Sequence, residues 1–212
     1  MNYIHKKIVF LSLLRKESRD LFKAPILLII IVITTLCSFY INYFYDRSDL
    51  SFIFFDNPHN FGLIVSLFII IQYINDSTLN DIENGGVIFL LNTGSSLRIL
   101  YFVKVMFGVF IGFLITIWRI FRNDNITFHY IFFVFTLFYN IGMICIIVSS
   151  LCDKDRTIQW FITTFFTISY YFALLKINNI FITYLLHIFV FIITQLIFSG
   201  CIKSSNFRKQ LK

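Results

Sequence analysis

The sequence predicts an all-α membrane protein with six transmembrane helices, an amino-terminal interfacial elbow helix and a short cytoplasmic helix between spans 2 and 3. Three observations carry this. Hydrophobic residues make up 58% of the 212-residue chain and charged residues 14%, with a mean hydropathy of +0.81. A soluble domain averages about 45–50% apolar and about 25% charged, so the excess suits a chain solvated by lipid. Runs without charge recur at about the 20-residue length that crosses about 30 Å of hydrocarbon. Lys and Arg, which leave a net charge of +7, gather at the two ends of the chain.

Charge sets the boundary of each span. The expected spans are residues 25–45, 58–75, 99–118, 128–151, 157–175 and 180–201. Lys104 lies inside the first turns of the third. The fifth and sixth could be taken for one helix, but Lys176, Asn178 and Asn179 are costly in hydrocarbon and mark a tight turn. The uncharged stretch 84–97 holds Gly85, Gly86, Asn92, Gly94, Ser95 and Ser96. It is too short and too polar to span, and reads as a short amphipathic or re-entrant helix in a loop. No internal repeat and no separate soluble domain is visible. The chain divides into residues 1–24, a transmembrane domain over 25–202 and a basic tail over 203–212.

Residues 1–24 form a basic amphipathic helix in this reading. Ile4, Ile8, Leu11 and Leu14 recur at helical spacing, with Leu21 and Phe22 further on, while Lys6, Lys16, Arg19 and Asp20 fall mostly on other faces. Such helices lie in the headgroup plane. Pro25 fits the bend from that plane into the first span, because proline disfavours helix in the residue before it. An even number of spans puts both basic ends on one side, and the positive-inside rule makes that side cytoplasmic. The expected location is therefore the cytoplasmic membrane, with both termini inside.

Several chemistries are excluded by their missing motifs. The chain has no GxxxxGK[ST] phosphate loop, no HExxH, no GxSxG and no paired acidic motif in a span. Cys37, Cys145, Cys152 and Cys201 form no CxxC pair and read as small hydrophobes. His187 and Cys201 share a span but stand about 21 Å apart along it, too far for a Cys–His catalytic pair. No metal or cofactor is expected, and the positive charge is assigned to membrane orientation rather than nucleic acid. The polar residues Gln72, Asn140, His187 and Gln195 lie in spans, where such groups line a pathway or bond one helix to another. Gly108 and Gly112 form a GxxxG on the third span, which permits close helix approach within the bundle or across a dimer.

The segment Asp81-Ile82-Glu83-Asn84-Gly85-Gly86-Val87-Ile88-Phe89-Leu90-Leu91-Asn92-Thr93-Gly94-Ser95-Ser96-Leu97-Arg98, with Lys104 after it, resembles the cytoplasmic coupling segment of the ABC-2 type (type-2 ABC exporter) permease family. Glu83, Gly86, Leu90, Leu91, Thr93, Ser96, Arg98 and Lys104 occupy that family's acidic, glycine, paired-leucine, hydroxyl, turn and basic positions. The run around Lys16, Glu17 and Arg19 looks like its elbow helix. Gly94 stands where many members have Pro, and Val87 where many have Thr. The connection between the fifth and sixth spans is too short for the extracellular re-entrant helices of lipid and polysaccharide exporters. The resemblance implies a permease subunit that exports a substrate such as a peptide or antibiotic and has no ATPase site of its own. Its implied partners are a separate P-loop ATPase subunit, a second permease copy or a sister permease, and the lipid bilayer. A non-transporting immunity or sensor protein remains the alternative reading, and an intramembrane enzyme a weaker one.

Overall fold

The computed structural model describes residues 3–22, 25–44, 59–83, 97–122, 128–151, 156–177 and 179–203. Among these the chain is all-helical, in seven helices: α1 Tyr3–Phe22, α2 Pro25–Phe44, α3 His59–Glu83, α4 Leu97–Arg122, α5 Phe128–Leu151, α6 Arg156–Leu175 and α7 Ile180–Lys203. Among the described residues four stretches are long and apolar enough to cross a membrane: Gly62–Glu83, Leu97–Thr116, Ile131–Leu151 and Phe181–Gly200. A fifth is counted if Ile8–Phe22 and Leu27–Cys37, which meet at 84°, are taken together. These helices fit a multi-pass membrane protein.

α3, α4 and α5 pack against one another as the centre of the bundle. α2 covers α4 and α3, α1 sits against α4 and α2, α6 lies on α3 and α5, and α7 lies on α5. Ile70, Ile74, Val103, Val105, Ile111, Ile115, Phe138 and Ile141 are fully buried between the central helices. The outer helices present the opposite faces. Phe161, Phe165 and Phe166 on α6, and Phe181, Phe189 and Leu196 on α7, are all exposed. In water that surface would be costly; in lipid it is the solvated face.

The Gly108–Gly112 pair brings helices together inside the bundle. A Cβ on Gly112 would lie 2.7 Å from Ile70 Cδ1 and 2.7 Å from Phe138 Cε2, and one on Gly108 would lie 2.9 Å from Ile74 Cδ1. α4 therefore approaches α3 and α5 along its glycine face. The expected second span differs in extent: α3 runs eight residues past 75, through Asp76 and Asp81 to Glu83. Charge marks where hydrocarbon ends, but it does not stop a helix. α6 and α7 are separate helices. α6 closes with the bonds Lys176 N–H to Phe172 O (3.3 Å) and Ile177 N–H to Leu174 O (3.2 Å). Asn179 Oδ1 then caps α7 by accepting from Phe181 N–H at 2.9 Å.

The amino-terminal helix departs from the expected apolar stripe. Leu13 and Glu17, one turn apart, are its buried positions, with Val9, Phe10, Leu14 and Leu21 packed partly against the core. Ile8, Leu11 and Phe22 are exposed. The helix thus has two apolar faces, one docked on the bundle and one left open.

Gly112→Ala is expected to lower thermal stability in detergent, at a cost of about 1–3 kcal/mol from overpacking. Gly200→Ala, where a Cβ meets nothing within 4 Å, should leave the melting temperature unchanged. Equal effects at the two positions in a melting experiment would contradict the packing described.

Candidate functional site: a buried charge cluster joining three helices

Two fully buried charges, Glu17 on α1 and Lys104 on α4, lie in direct contact. Lys104 sits seven residues into α4, about 10 Å along the helix from its start. Its Nζ is 2.8 Å from Glu17 Oε1, 2.8 Å from Asp81 Oδ2 and 3.1 Å from the backbone oxygen of Ser77. It also reaches Ser77 Oγ. An ammonium has three N–H donors, and Glu17 Oε1, Ser77 O and Ser77 Oγ use them all, with Asp81 Oδ2 held as an ion pair. On the other carboxylate oxygen, Glu17 Oε2 accepts from Tyr73 O–H at 2.6 Å and from Ser77 O–H at 2.8 Å. Asp81 Oδ1 takes Lys16 Nζ at the edge of the cluster. Lys16 also lies 3.8 Å from Asp20.

Local structure explains how these groups converge. Tyr73, Ser77 and Asp81 recur every four residues and form one stripe on α3. Glu17 lies one turn beyond Leu13 on the docked face of α1. Two cations, Lys16 and Lys104, meet two anions, Glu17 and Asp81, so the core of the cluster is neutral. Burying an ion costs several kcal/mol, and Coulomb attraction offsets that only when every donor and lone pair is also satisfied. Glu17 and Lys104 meet that condition. The cluster therefore specifies one docking position for α1, because any shift by a helical turn strands a buried charge.

Glu83, expected in the coupling segment, ends α3 and pairs with Arg156 at the start of α6 at 2.9 Å. Arg156 also approaches Asn80 Oδ1 at 3.4 Å. Both partners of the ion pair are exposed, so it contributes at most about 1 kcal/mol. Arg98 is exposed in the first turn of α4, and Arg19 is exposed on α1. Gly86, Leu90, Leu91, Thr93 and Ser96 lie outside the described residues. Of the polar residues singled out in spans, Asn140 and His187 come together, and Gln195 donates to Tyr139 OH at 3.2 Å. Gln72 is exposed on α3 and joins neither group.

Sequence reasoning missed Tyr73, Ser77 and Asp81. Ending the second span at residue 75 placed Ser77 and Asp81 in a loop. Their signal was present: Lys104 inside an apolar helix needs a counter-ion, and the four-residue stripe on the preceding helix supplies one. Nothing local could point to Glu17, which lies 87 residues from Lys104. A second polar seam was also missed. Asn75 Nδ2 donates to Thr163 Oγ1 at 3.1 Å, and Ser149 Oγ donates to Asn75 Oδ1 at 3.1 Å. Among the described residues no group of three His, Cys, Asp or Glu side chains could hold a metal ion.

Lys104→Met and Glu17→Gln should each destabilise the protein, Lys104→Met by about 3–5 kcal/mol because it leaves a buried carboxylate without its cation. The double variant should cost less than the sum of the singles. A double-mutant cycle by detergent unfolding measures this, and strict additivity would remove the pair from the account.

Comparison with family models, with curated proteins and with solved structures finds no match for the chain.

Proposed function

We propose that this chain is the membrane-spanning permease subunit of an ATP-driven exporter, with α2 to α7 as six spans and α1 as an elbow helix in the cytoplasmic headgroup plane. The reading rests first on the pattern from Glu83 to Lys104, which resembles the coupling segment of ABC-2 type permeases. The observation that carries it is mechanical. The segment 84–96 connects α3 to α4, and the ends of those two helices are joined by the Asp81–Lys104 pair and to α1 by Glu17. A push on that segment is delivered to three helices as one unit. A membrane subunit without a nucleotide site needs such a unit to receive force from a subunit that has one. ATP-driven closure of the partner then shifts the bundle between two access states.

The length of α6 also suits this topology. At 20 residues it measures about 30 Å, enough to span. Its inner face carries Gln159, Thr163, Thr164 and Thr167, all buried. Within this reading Leu90 and Leu91 anchor in an apolar groove of the ATPase. The short link between α6 and α7 favours small substrates such as a peptide or an antibiotic over lipid or polysaccharide.

Affinity purification of the tagged chain from its native membranes, with mass spectrometry, tests the proposal. A near-stoichiometric P-loop ATPase should accompany the chain. It should be lost with Glu83→Arg plus Leu90→Asp, and kept with Arg156→Ala, which breaks only the internal contacts with Glu83 and Asn80. A chain that purifies alone, or with a partner that is no ATPase, would favour a non-transporting immunity or sensor protein instead.

A further inference from the structure

α6 is polar on the inside and apolar on the outside. Gln159, Thr163, Thr167 and Tyr170 are spaced by four, four and three residues, so they share one helical face, and all four are buried. Phe161, Phe165 and Phe172 occupy the opposite, exposed face. The inner face starts one turn from Arg156, whose partner Glu83 is exposed, and runs about 17 Å along the helix to Tyr170. That is more than half the thickness of a hydrocarbon core of about 30 Å.

With the imidazole neutral, one hydrogen-bond arrangement at the upper end of this face also satisfies the Tyr170 hydrogen. Asn140 Nδ2 lies 3.2 Å from the backbone oxygen of His187, which only accepts, so the amide orientation is fixed. The same nitrogen lies 3.1 Å from Tyr170 OH, which must therefore accept from it. The Tyr170 hydrogen is then free to serve His187 Nδ1, its other contact. His187 Nδ1 accepts, and the ring proton of the neutral imidazole is carried by Nε2. His187 Nε2–H is a buried donor and Asn140 Oδ1 a buried acceptor, and neither has a hydrogen-bond partner among the described residues.

The rest of the face repeats the pattern. The hydroxyls of Thr164 and Thr167 are buried without partners among the described residues, as is that of Thr78, one turn from Asn75 on α3. A buried polar group left unmade costs about 1–3 kcal/mol, and folded proteins carry few of them. Five such groups on α3, α5, α6 and α7, in a bundle packed mainly with Ile, Leu and Phe, call for an occupant that both donates and accepts. Water does both, and buried water makes about three hydrogen bonds to groups of this kind.

We propose that the inner face of α6 lines a hydrated half-path, which enters beside Glu83 and Arg156 and ends at Asn140 and His187, where a bound water accepts from Nε2–H and donates to Oδ1. Its walls are hydroxyl, amide and imidazole groups without a formal charge. The path stands on these residues alone and does not depend on the permease reading.

Water-edited solid-state NMR of the whole chain in lipid bilayers, with threonine, histidine and isoleucine labelled, tests this directly. Magnetisation from water should reach Thr167 and His187 several-fold faster than it reaches Ile70 and Ile111 in the dry core, and His187 should carry its proton on Nε2. His187→Gln identifies its signals among the four histidines. Build-up at Thr167 and His187 as slow as at Ile70 would overturn the proposal. Thr167→Val gives an independent readout. It should lower the melting temperature by removing a hydrated hydroxyl, whereas a rise would mean that the hydroxyl is buried dry.

Discussion

The contact between Glu17 and Lys104 is the constraint on which the arrangement of the amino-terminal half depends. Neither residue has access to water, and each is a formal charge in a protein whose surroundings are hydrocarbon and packed side chains. Such a pair adds little net stability over an apolar pair of the same volume, but it is unforgiving of misplacement. α1 docks where Glu17 meets Lys104, Tyr73 and Ser77, and a neighbouring register offers no equivalent set. The helix pair α3 and α4 is held by the same ammonium through Asp81. Packing of Gly108 and Gly112 against Ile70, Ile74 and Phe138 fixes these helices further along. Charge at one end and close glycine contact in the middle make α1, α3 and α4 a single body.

The carboxy-terminal half is organised differently. α6 and α7 have no ion pair within the bundle among the described residues; the pair at Arg156 is exposed. They are attached by neutral polar contacts: Asn75 with Thr163, and Asn140 with Tyr170 and His187. Individual hydrogen bonds of this kind between membrane helices contribute about 0.6 to 2 kcal/mol. The two halves therefore differ in how strictly they are positioned. Motion in such an arrangement concentrates where positioning is least strict.

The sequence made helix positions legible through its charges, since an ion seldom enters hydrocarbon. The same rule misled at the end of α3, where Asp81 is paired and the helix continues to Glu83. Lys104 was visible as an anomaly inside an apolar run, but its main partner is on another helix 87 residues away, and no local pattern encodes that. Gly108 and Gly112 announced a close approach without naming the helices involved. Asn140 and His187 stood out because their side chains are expensive in lipid. Thr163 did not, because threonine satisfies itself within a helix so easily that its burial against a neighbour leaves no trace in composition. Gln72 was as conspicuous as Asn140 and is exposed, which only the rotation of α3 decides.

The most direct test of this account is hydrogen–deuterium exchange across residues 10–21 in lipid bilayers, compared between the unaltered chain and Lys104→Met. If Glu17 holds α1 to the bundle, these amides are protected as strongly as those of α4 and lose that protection in Lys104→Met, while α5 and α7 are unchanged. Exchange that is fast in both proteins, or slow in both, would mean that the buried pair does not set the position of α1.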